Sequence, residues 1–215
     1  MLGHNTTISL DVKMNRLALH QLGLITRADA LQLGISKDSL RRRVDNGLLV
    51  RVHPGVYRLG ASSPTFEQRC LAATLAANDS VLSHRSAAVM HGLPIATPTR
   101  PEIVLPHGSG FRAPGIEIHQ TSYPPSTQPW LTTQITTVAS TLMALAAVVD
   151  AGTFARCLDH CIANRKTTVR QLQFELSTVS RERLPGRKVL EWEFGKRADG
   201  RVRYRSRLEQ RAVVG

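Results

Sequence analysis

Residues 24–60 have the sequence LITRADALQLGISKDSLRRRVDNGLLVRVHPGVYRLG, and this stretch decides the fold of the first part of the chain. Near its start, Thr26 is followed three residues later by Asp29, which is the pattern of a capping box. A helix is therefore expected over 27–33. The preceding stretch, residues 14–23, has apolar side chains at helical spacing and ends in glycine, which predicts another short helix.

A glycine turn separates the helix over 27–33 from the next one. Ser36 is expected to cap a helix over 37–46, which Gly47 ends. Leu40 and Val44 lie one turn apart in this helix and are expected to face the core. Leu31 and Ile35 are expected to join them there. Two short helices around a glycine turn are typical of a helix-turn-helix.

A β-hairpin is predicted directly after these helices. Residues 48–53 and 56–59 are rich in β-branched and aromatic side chains, and Pro54 and Gly55 between them form a turn. A hairpin in this position is the wing of a winged helix-turn-helix. We therefore expect such a domain over residues 14–60.

Basic side chains dominate both ends of the sequence. The net charge is +12, of which residues 1–60 carry +5, residues 61–150 carry −1 and residues 151–215 carry +8. Each Lys or Arg placed on a phosphate releases counterions, so this distribution suits double-stranded DNA as a partner. The alternative is that surplus arginine serves only solubility.

The predicted DNA contacts fall into two groups. The start of the third helix is expected to enter the major groove through Lys37, Ser39 and one or two of Arg41, Arg42 and Arg43. Backbone contacts to phosphates or sugars are expected from the helix cap and the wing. These residues are Ser36, Arg51, His53, Tyr57 and Arg58. The alternative is a basic winged domain that binds protein instead.

The chain after the linker at 61–64 predicts a separate α+β domain over residues 65–180. Helices are expected over 65–77, 83–91, 136–149, 153–164 and 168–176, and strands over 102–105 and 115–119. No stretch is long and apolar enough for a membrane span. No export signal is recognisable, so a cytoplasmic protein with reduced cysteines is expected.

No cofactor, metal ligand or catalytic residue is assigned from the sequence. Cys157, His160 and Cys161 share a helix face, and Cys70 was considered as a fourth zinc ligand, but buried thiols are the preferred interpretation. His84 beside Ser83 is more typical of a polar helix start than of a hydrolase.

Residues 24–60 resemble the winged-helix domain of AbiEi-type antitoxins from bacterial type IV toxin–antitoxin systems. Residues 82–94 (LSHRSAAVMHGLP) and 135–147 (ITTVASTLMALAA) are similar to helix starts in the second domain of these proteins. The likeness covers most of residues 14–180. It implies an autorepressor that binds operator repeats, and a second domain that opposes a nucleotidyltransferase-like toxin.

Longer actinobacterial relatives of this architecture carry a C-terminal domain similar to very-short-patch-repair endonucleases. Residues 198–211 (ADGRVRYRSRLEQR) resemble the approach to that domain. Residues 181–215 are therefore expected to be a loosely held, basic and partly helical tail, the remnant of a lost endonuclease-like domain. In this tail, Trp192 and Phe194 are expected either to dock on the second domain or to be exposed. The tail is expected to strengthen DNA binding without discriminating between DNA sequences.

Three functions follow from these observations. The preferred one is a DNA-binding transcriptional regulator without enzymatic activity. The alternatives are an antitoxin that binds only its toxin and a degenerate relative of a nuclease.

Overall fold

The computed structural model describes residues 9–179 and 184–198. The chain divides into two compact units after Asn78, and the short segment Leu131–Thr133 belongs to the first. No helix in the described parts of the chain is long and apolar enough to cross a membrane.

The first unit is a winged helix-turn-helix followed by one further helix. Its three strands form a sheet in the order β1-β3-β2, and both strand pairs are antiparallel. The elements in chain order are α1 (Leu10–Leu19), β1 (Leu24–Thr26), α2 (Arg27–Gln32), α3 (Lys37–Asp45), β2 (Leu49–His53), β3 (Val56–Leu59) and α4 (Phe66–Ala76).

Helix caps form where the sequence predicts them. The Thr26 hydroxyl accepts a hydrogen bond from Asp29 N at 3.0 Å, and the Asp29 carboxylate accepts one from Thr26 N at 2.8 Å. The Ser36 hydroxyl accepts from Ser39 N at 3.2 Å at the start of α3. These bonds satisfy backbone donors that the first turn of a helix leaves unpaired.

The core of the first unit lies between the helices and the small sheet. Ile35 and Leu40 are buried as predicted, and Val44 packs against them from a half-buried position. The prediction for Leu31 is wrong, because 43% of this residue is exposed and its neighbour Ala30 fills the core position instead.

The expected domain boundary at 61–64 is displaced in the structure. Helix α4, which was expected to open the second domain, packs against the three strands of the winged sheet. The side chain of Gln68 in α4 is buried, and its amide donates to Leu22 O at 2.5 Å. An alanine-rich sequence gives no indication of which sheet its helix will cover, so the pattern alone placed α4 in the wrong unit.

The second unit is α+β, as the sequence predicts. Its sheet has the order β6-β5-β4-β8-β7, in which β5 is parallel to β6 and antiparallel to β4. The elements are β4 (Val81–Leu82), α5 (His84–Met90), β5 (Glu102–Pro106), β6 (Glu117–Thr121), β7 (Thr127–Trp130), β8 (Thr133–Thr136), α6 (Val138–Leu145), α7 (Ala151–Ala163), α8 (Val169–Thr178) and α9 (Arg187–Ala198).

The three cysteines are buried thiols that form no disulfide, as preferred from the sequence. Cys157 and Cys161 belong to the helical core of the second unit, beside residues such as Phe154 and Leu158. Burial raises the pKa of both thiols, that of Cys161 to about 12. They are therefore protonated apolar contacts at neutral pH.

The expectation of a loosely held tail over 181–215 is wrong for helix α9. Leu190 and Phe194 are buried in the helical core, while Trp192 on the same helix is 62% exposed. The abundance of charge in this segment concealed the two apolar anchors. Residues 180–183 and 199–215 lie outside the described residues, so the structure does not address the rest of the tail prediction.

Candidate nucleic-acid interface

Helix α3 presents different side chains on each of its faces. Leu40 points into the core, and Ser39 and Arg43 lie on the side that meets α1. Arg41 and Arg42 are exposed on the remaining surface of the helix. The sequence predicted one or two of the three arginines in the major groove, and Arg41 and Arg42 are the two that the structure leaves exposed.

A cleft of about 380 Å³ lies between α3 and the wing. Cations line it from both sides, with Lys37 and Arg41 on the helix and Arg51 on β2. Its lining residues are Arg27, Lys37, Leu40, Arg41, Val44, Asp45, Arg51 and Tyr57. Arg27 was missed in the sequence because it opens α2, and only the fold brings it beside the wing.

The cations of the cleft are weakly held by the protein itself. Arg41 Nε lies 3.9 Å from Asp45 Oδ2, and both side chains are mostly exposed, at 84% and 63%. An exposed pair of this length contributes little to stability because solvent screens it. Asp45 therefore holds the Arg41 guanidinium only weakly.

Arg43 has a structural role in the first unit. Its guanidinium lies 2.7 Å from the carboxylate of Asp11 on α1, and its side chain is only 13% exposed. The same guanidinium donates to Ser39 O at 3.0 Å and to the Ser39 hydroxyl. Ser39 and Arg43 are thus engaged inside the protein, where they join α3 to α1.

The wing residues also differ in their availability. Arg51 is exposed, whereas Arg58 is half-buried and donates to Leu59 O at 3.2 Å and to Ser62 O. Arg58 therefore fastens the end of the wing to the following turn. Half-burial lowers the pKa of His53, so its ring is neutral at pH 7 and offers a hydrogen bond without a charge.

All ten residues predicted to contact DNA lie in the first unit, and their contacts with DNA stay predictions. The structure brings Lys37, Arg41 and Arg51 to one cleft, with Tyr57 half-buried in its wall. Ser36 is exposed at the start of α3, where its hydroxyl accepts the cap hydrogen bond.

A second polar cluster, found only in the structure, lies in the second unit. His84 at the start of α5 stacks on His119 of β6, with ring centroids 3.5 Å apart and planes 15° apart. The buried Glu102 of β5 lies beside them, with Oε2 at 3.6 Å from His119 Nε2. These residues are 17 to 35 positions apart in sequence, so no local motif could reveal them.

The electrostatics of this cluster are dominated by burial and by one arginine. Burial alone would raise the pKa of Glu102, but the adjacent imidazole of His119 and the hydrogen bonds from Arg85 lower it below its ordinary value. Burial, together with His119, lowers the pKa of His84 to about 3. Glu102 is thus ionised and His84 neutral at pH 7.

His91, at the end of α5, has a structural hydrogen bond. Its Nε2 lies 2.8 Å from the carbonyl oxygen of Thr136, so the ring joins the end of α5 to β8. Burial lowers the pKa of His91, consistent with a neutral ring that donates this bond.

Three helices followed by a basic two-stranded wing define the class of winged helix-turn-helix proteins. Residues 13–60 match the family model described as transcriptional regulator, AbiEi antitoxin. The resemblance to AbiEi-type antitoxins is thereby confirmed over the winged-helix residues of the first unit. No curated protein sequence matches the chain.

The fold of the chain is also similar to a solved structure, the RV2827C protein from Mycobacterium tuberculosis. The TM-score is 0.56 at 19% sequence identity, and the match covers 87% of this chain and 78% of that one. At this identity the likeness concerns the fold alone. It extends beyond the residues that the family model matches.

Proposed function

We propose that this protein is an autorepressor, which binds operator DNA beside its own gene through the first unit. The observation that carries the proposal is the cationic cleft between α3 and the wing, flanked by the exposed Arg42. A helix-turn-helix inserts the outward face of its second helix into the major groove, and a wing contacts the adjacent backbone. A regulator of this kind acts in the cytoplasm, where the chromosome is.

The cationic side chains are proposed to have two roles in DNA binding, sequence specificity and affinity. Arg42 and Arg41 project from α3 and are proposed to contact base edges, where an arginine recognises guanine. Lys37, Arg27 and Arg51 are proposed to bind phosphates, which adds affinity independent of sequence. Ser36, His53 and Tyr57 supply neutral hydrogen bonds to the backbone. We assign Ser39, Arg43 and Arg58 to the stability of the domain.

The proposal is tested by measuring fluorescence anisotropy with labelled DNA from the upstream region of the gene and with a scrambled duplex of equal length and composition. Both titrations are made at the same salt concentration, because phosphate contacts make affinity strongly salt-dependent. The upstream DNA is expected to bind at least about 10³-fold more tightly, as specific regulators do. Equal affinities would remove the repressor function.

We propose further that the chain is the antitoxin of a type IV toxin–antitoxin system and opposes a nucleotidyltransferase-like toxin. The family match over residues 13–60 supports this role, and Phe174 and Trp192 of the second unit are large exposed side chains that a partner could bury. If expression of a neighbouring nucleotidyltransferase gene arrests growth, co-expression of this protein is expected to restore it. A variant whose winged helix no longer binds DNA should still restore growth, which separates the antitoxin role from repression.

The basic residues after α9 are proposed to add phosphate contacts. Because Leu190 and Phe194 are core residues, the informative truncation ends at Ala198 and leaves α9 in place. Residues 199–215 contain five arginines and two acidic residues. Their removal is expected to flatten the slope of log affinity against log salt while the ratio between operator and scrambled DNA stays unchanged. An unaltered slope would show that the segment does not contact DNA.

A further inference from the structure

Three potential metal ligands meet in the second unit. Their ligand atoms, from His84, Glu102 and His119, all lie within 4.8 Å of one another. The strand register explains the meeting, because Val104 of β5 is paired with His119 of β6 and Glu102 lies two residues before Val104. Side chains two residues apart project from the same face of a strand, so Glu102 and His119 share one face of the sheet.

His84 is held in this cluster by an unusual backbone conformation. Its φ angle is +50°, in the left-handed region that a residue with a side chain rarely adopts. The Ser83 hydroxyl lies 2.8 Å from His84 Nδ1, which fixes the ring and leaves Nε2 for another partner. Conformations of this kind concentrate at ligand sites, where the position of a side chain matters more than local backbone energy.

His119 offers a second nitrogen, whose contact with the Glu102 carboxylate is longer than a hydrogen bond. Its Nε2 is buried and has no hydrogen-bond partner among the described residues, at 3.6 Å from the carboxylate of Glu102. A buried polar nitrogen without a partner is rare in folded proteins and calls for an explanation, such as an ion that the site is built to bind.

Glu102 is oriented as a ligating carboxylate is. Arg85 Nε donates to Oε1, and the backbone N–H of Arg85 donates to Oε2 at 3.0 Å. Oε2 retains a lone pair on the side of His119. Hydrogen bonds that fix a ligating carboxylate in this way are a regular feature of protein metal sites.

We propose that His84, Glu102 and His119 bind one Zn²⁺ ion. Two imidazoles and one carboxylate are the donor set of zinc sites that keep a fourth position open. A cavity of about 330 Å³ is lined by both histidines together with Tyr123 and Met143. It is large enough to admit water or a small molecule beside the two imidazoles.

Zinc binding requires the two rings to leave their stacked arrangement. A metal ion lies in the plane of each imidazole that binds it, and two nearly parallel rings cannot share such an ion. Zinc–ligand bonds of about 2.0–2.1 Å place tetrahedral ligand atoms about 3.3 Å apart, so no pair has to close by more than about 1.5 Å. Rotation of one ring about its Cβ–Cγ bond accounts for a movement of this size.

The experiment uses the full chain without an affinity tag, stripped with a chelator and titrated with Zn²⁺ against a chromophoric competitor. One Zn²⁺ per chain is expected to bind at micromolar concentration. His119→Gln is expected to weaken binding by more than the about 10- to 100-fold that loss of a residue supporting a ligand costs. The matched control is His107→Gln, since His107 is exposed in the loop after β5.

Co²⁺ provides a second measurement, because its visible absorption reports the ligands and their geometry. The spectrum is expected to show nitrogen and oxygen ligation without a thiolate charge-transfer band. Binding that persists in His119→Gln and carries that band would come from the cysteines and would overturn the proposal, as would no binding by the wild-type chain. If His119→Gln does not fold, as judged by tryptophan fluorescence, His84→Asn serves in its place.

Discussion

Replacing Arg197 with alanine is expected to lower the free energy of unfolding of the second unit by about 3–5 kcal/mol. The side chain of Arg197 is 1% exposed and joins α9 to α7 through Asp159 Oδ1, at 2.6 Å. It also lies 2.5 Å from Oε2 of Glu193, whose side chain is 5% exposed. Removing Arg197 leaves the buried Glu193 with only the partly exposed Lys196 as an ion-pair partner. Loss of one partner of a buried pair costs far more than an exposed pair contributes.

The effect of Arg197→Ala is expected to depend on pH. Burial alone would raise the pKa of Glu193, and the bonds from Arg197 and Lys196 lower it instead. A lowered pKa means that wild-type stability from this group is present above the unfolded pKa of about 4.3 and is lost as pH falls through the folded pKa. Without Arg197, fewer interactions oppose the effect of burial on the pKa of Glu193. Protonation of Glu193 then removes the buried charge. The difference in stability between the two proteins should therefore shrink as pH falls toward and below about 4.3.

Tryptophan fluorescence during urea unfolding reports the free energy of unfolding of the second unit, in which the effect of Arg197→Ala is expected. Both tryptophans of the chain, Trp130 and Trp192, belong to the second unit. The matched control is Lys188→Ala, because Lys188 is an exposed cation on the same helix. A loss from Arg197→Ala no larger than that of the control would show that α9 is not anchored by this ion pair.

Helix α9 also shows which features of the fold the sequence patterns did not predict. The predicted winged domain depends on local signals such as the Thr26 and Asp29 capping box and the Pro54–Gly55 turn, and the structure contains both. Local signals of this kind act over a few residues. In contrast, α9 has no clear amphipathic pattern, and its stability comes from Arg197 and two apolar anchors that contact distant helices.

The two candidate sites also differ in whether local sequence signals could predict them. A run of three arginines indicated a nucleic-acid interface, but the sequence could not separate Arg43 from its two neighbours because its partner Asp11 lies 32 residues earlier. The cluster of His84, Glu102 and His119 was invisible for a similar reason. Strand pairing brings its members together, and pairing between β5 and β6 was not specified by any turn signal.

Removing Arg42 and Arg51 together is expected to reduce operator affinity by at least about tenfold, and the two single variants should differ in kind. Arg42→Ala should cost about 1–3 kcal/mol on the operator and little on scrambled DNA, because a base contact confers discrimination. Arg51→Ala should weaken binding to both DNAs alike and reduce the salt slope by about 1, as loss of one phosphate contact does.

The control for this pair is Arg170→Ala, which removes the same charge from an exposed position on α8 of the second unit. It should leave the affinity for both duplexes nearly unchanged, because the proposed interface lies on α3 and the wing. Arg43→Ala should differ from all of these variants, since loss of its bond to Asp11 lowers the stability of the first unit. If Arg42→Ala weakened operator and scrambled DNA equally, Arg42 would contact phosphate, and base recognition would have to come from Arg41 or another residue of α3.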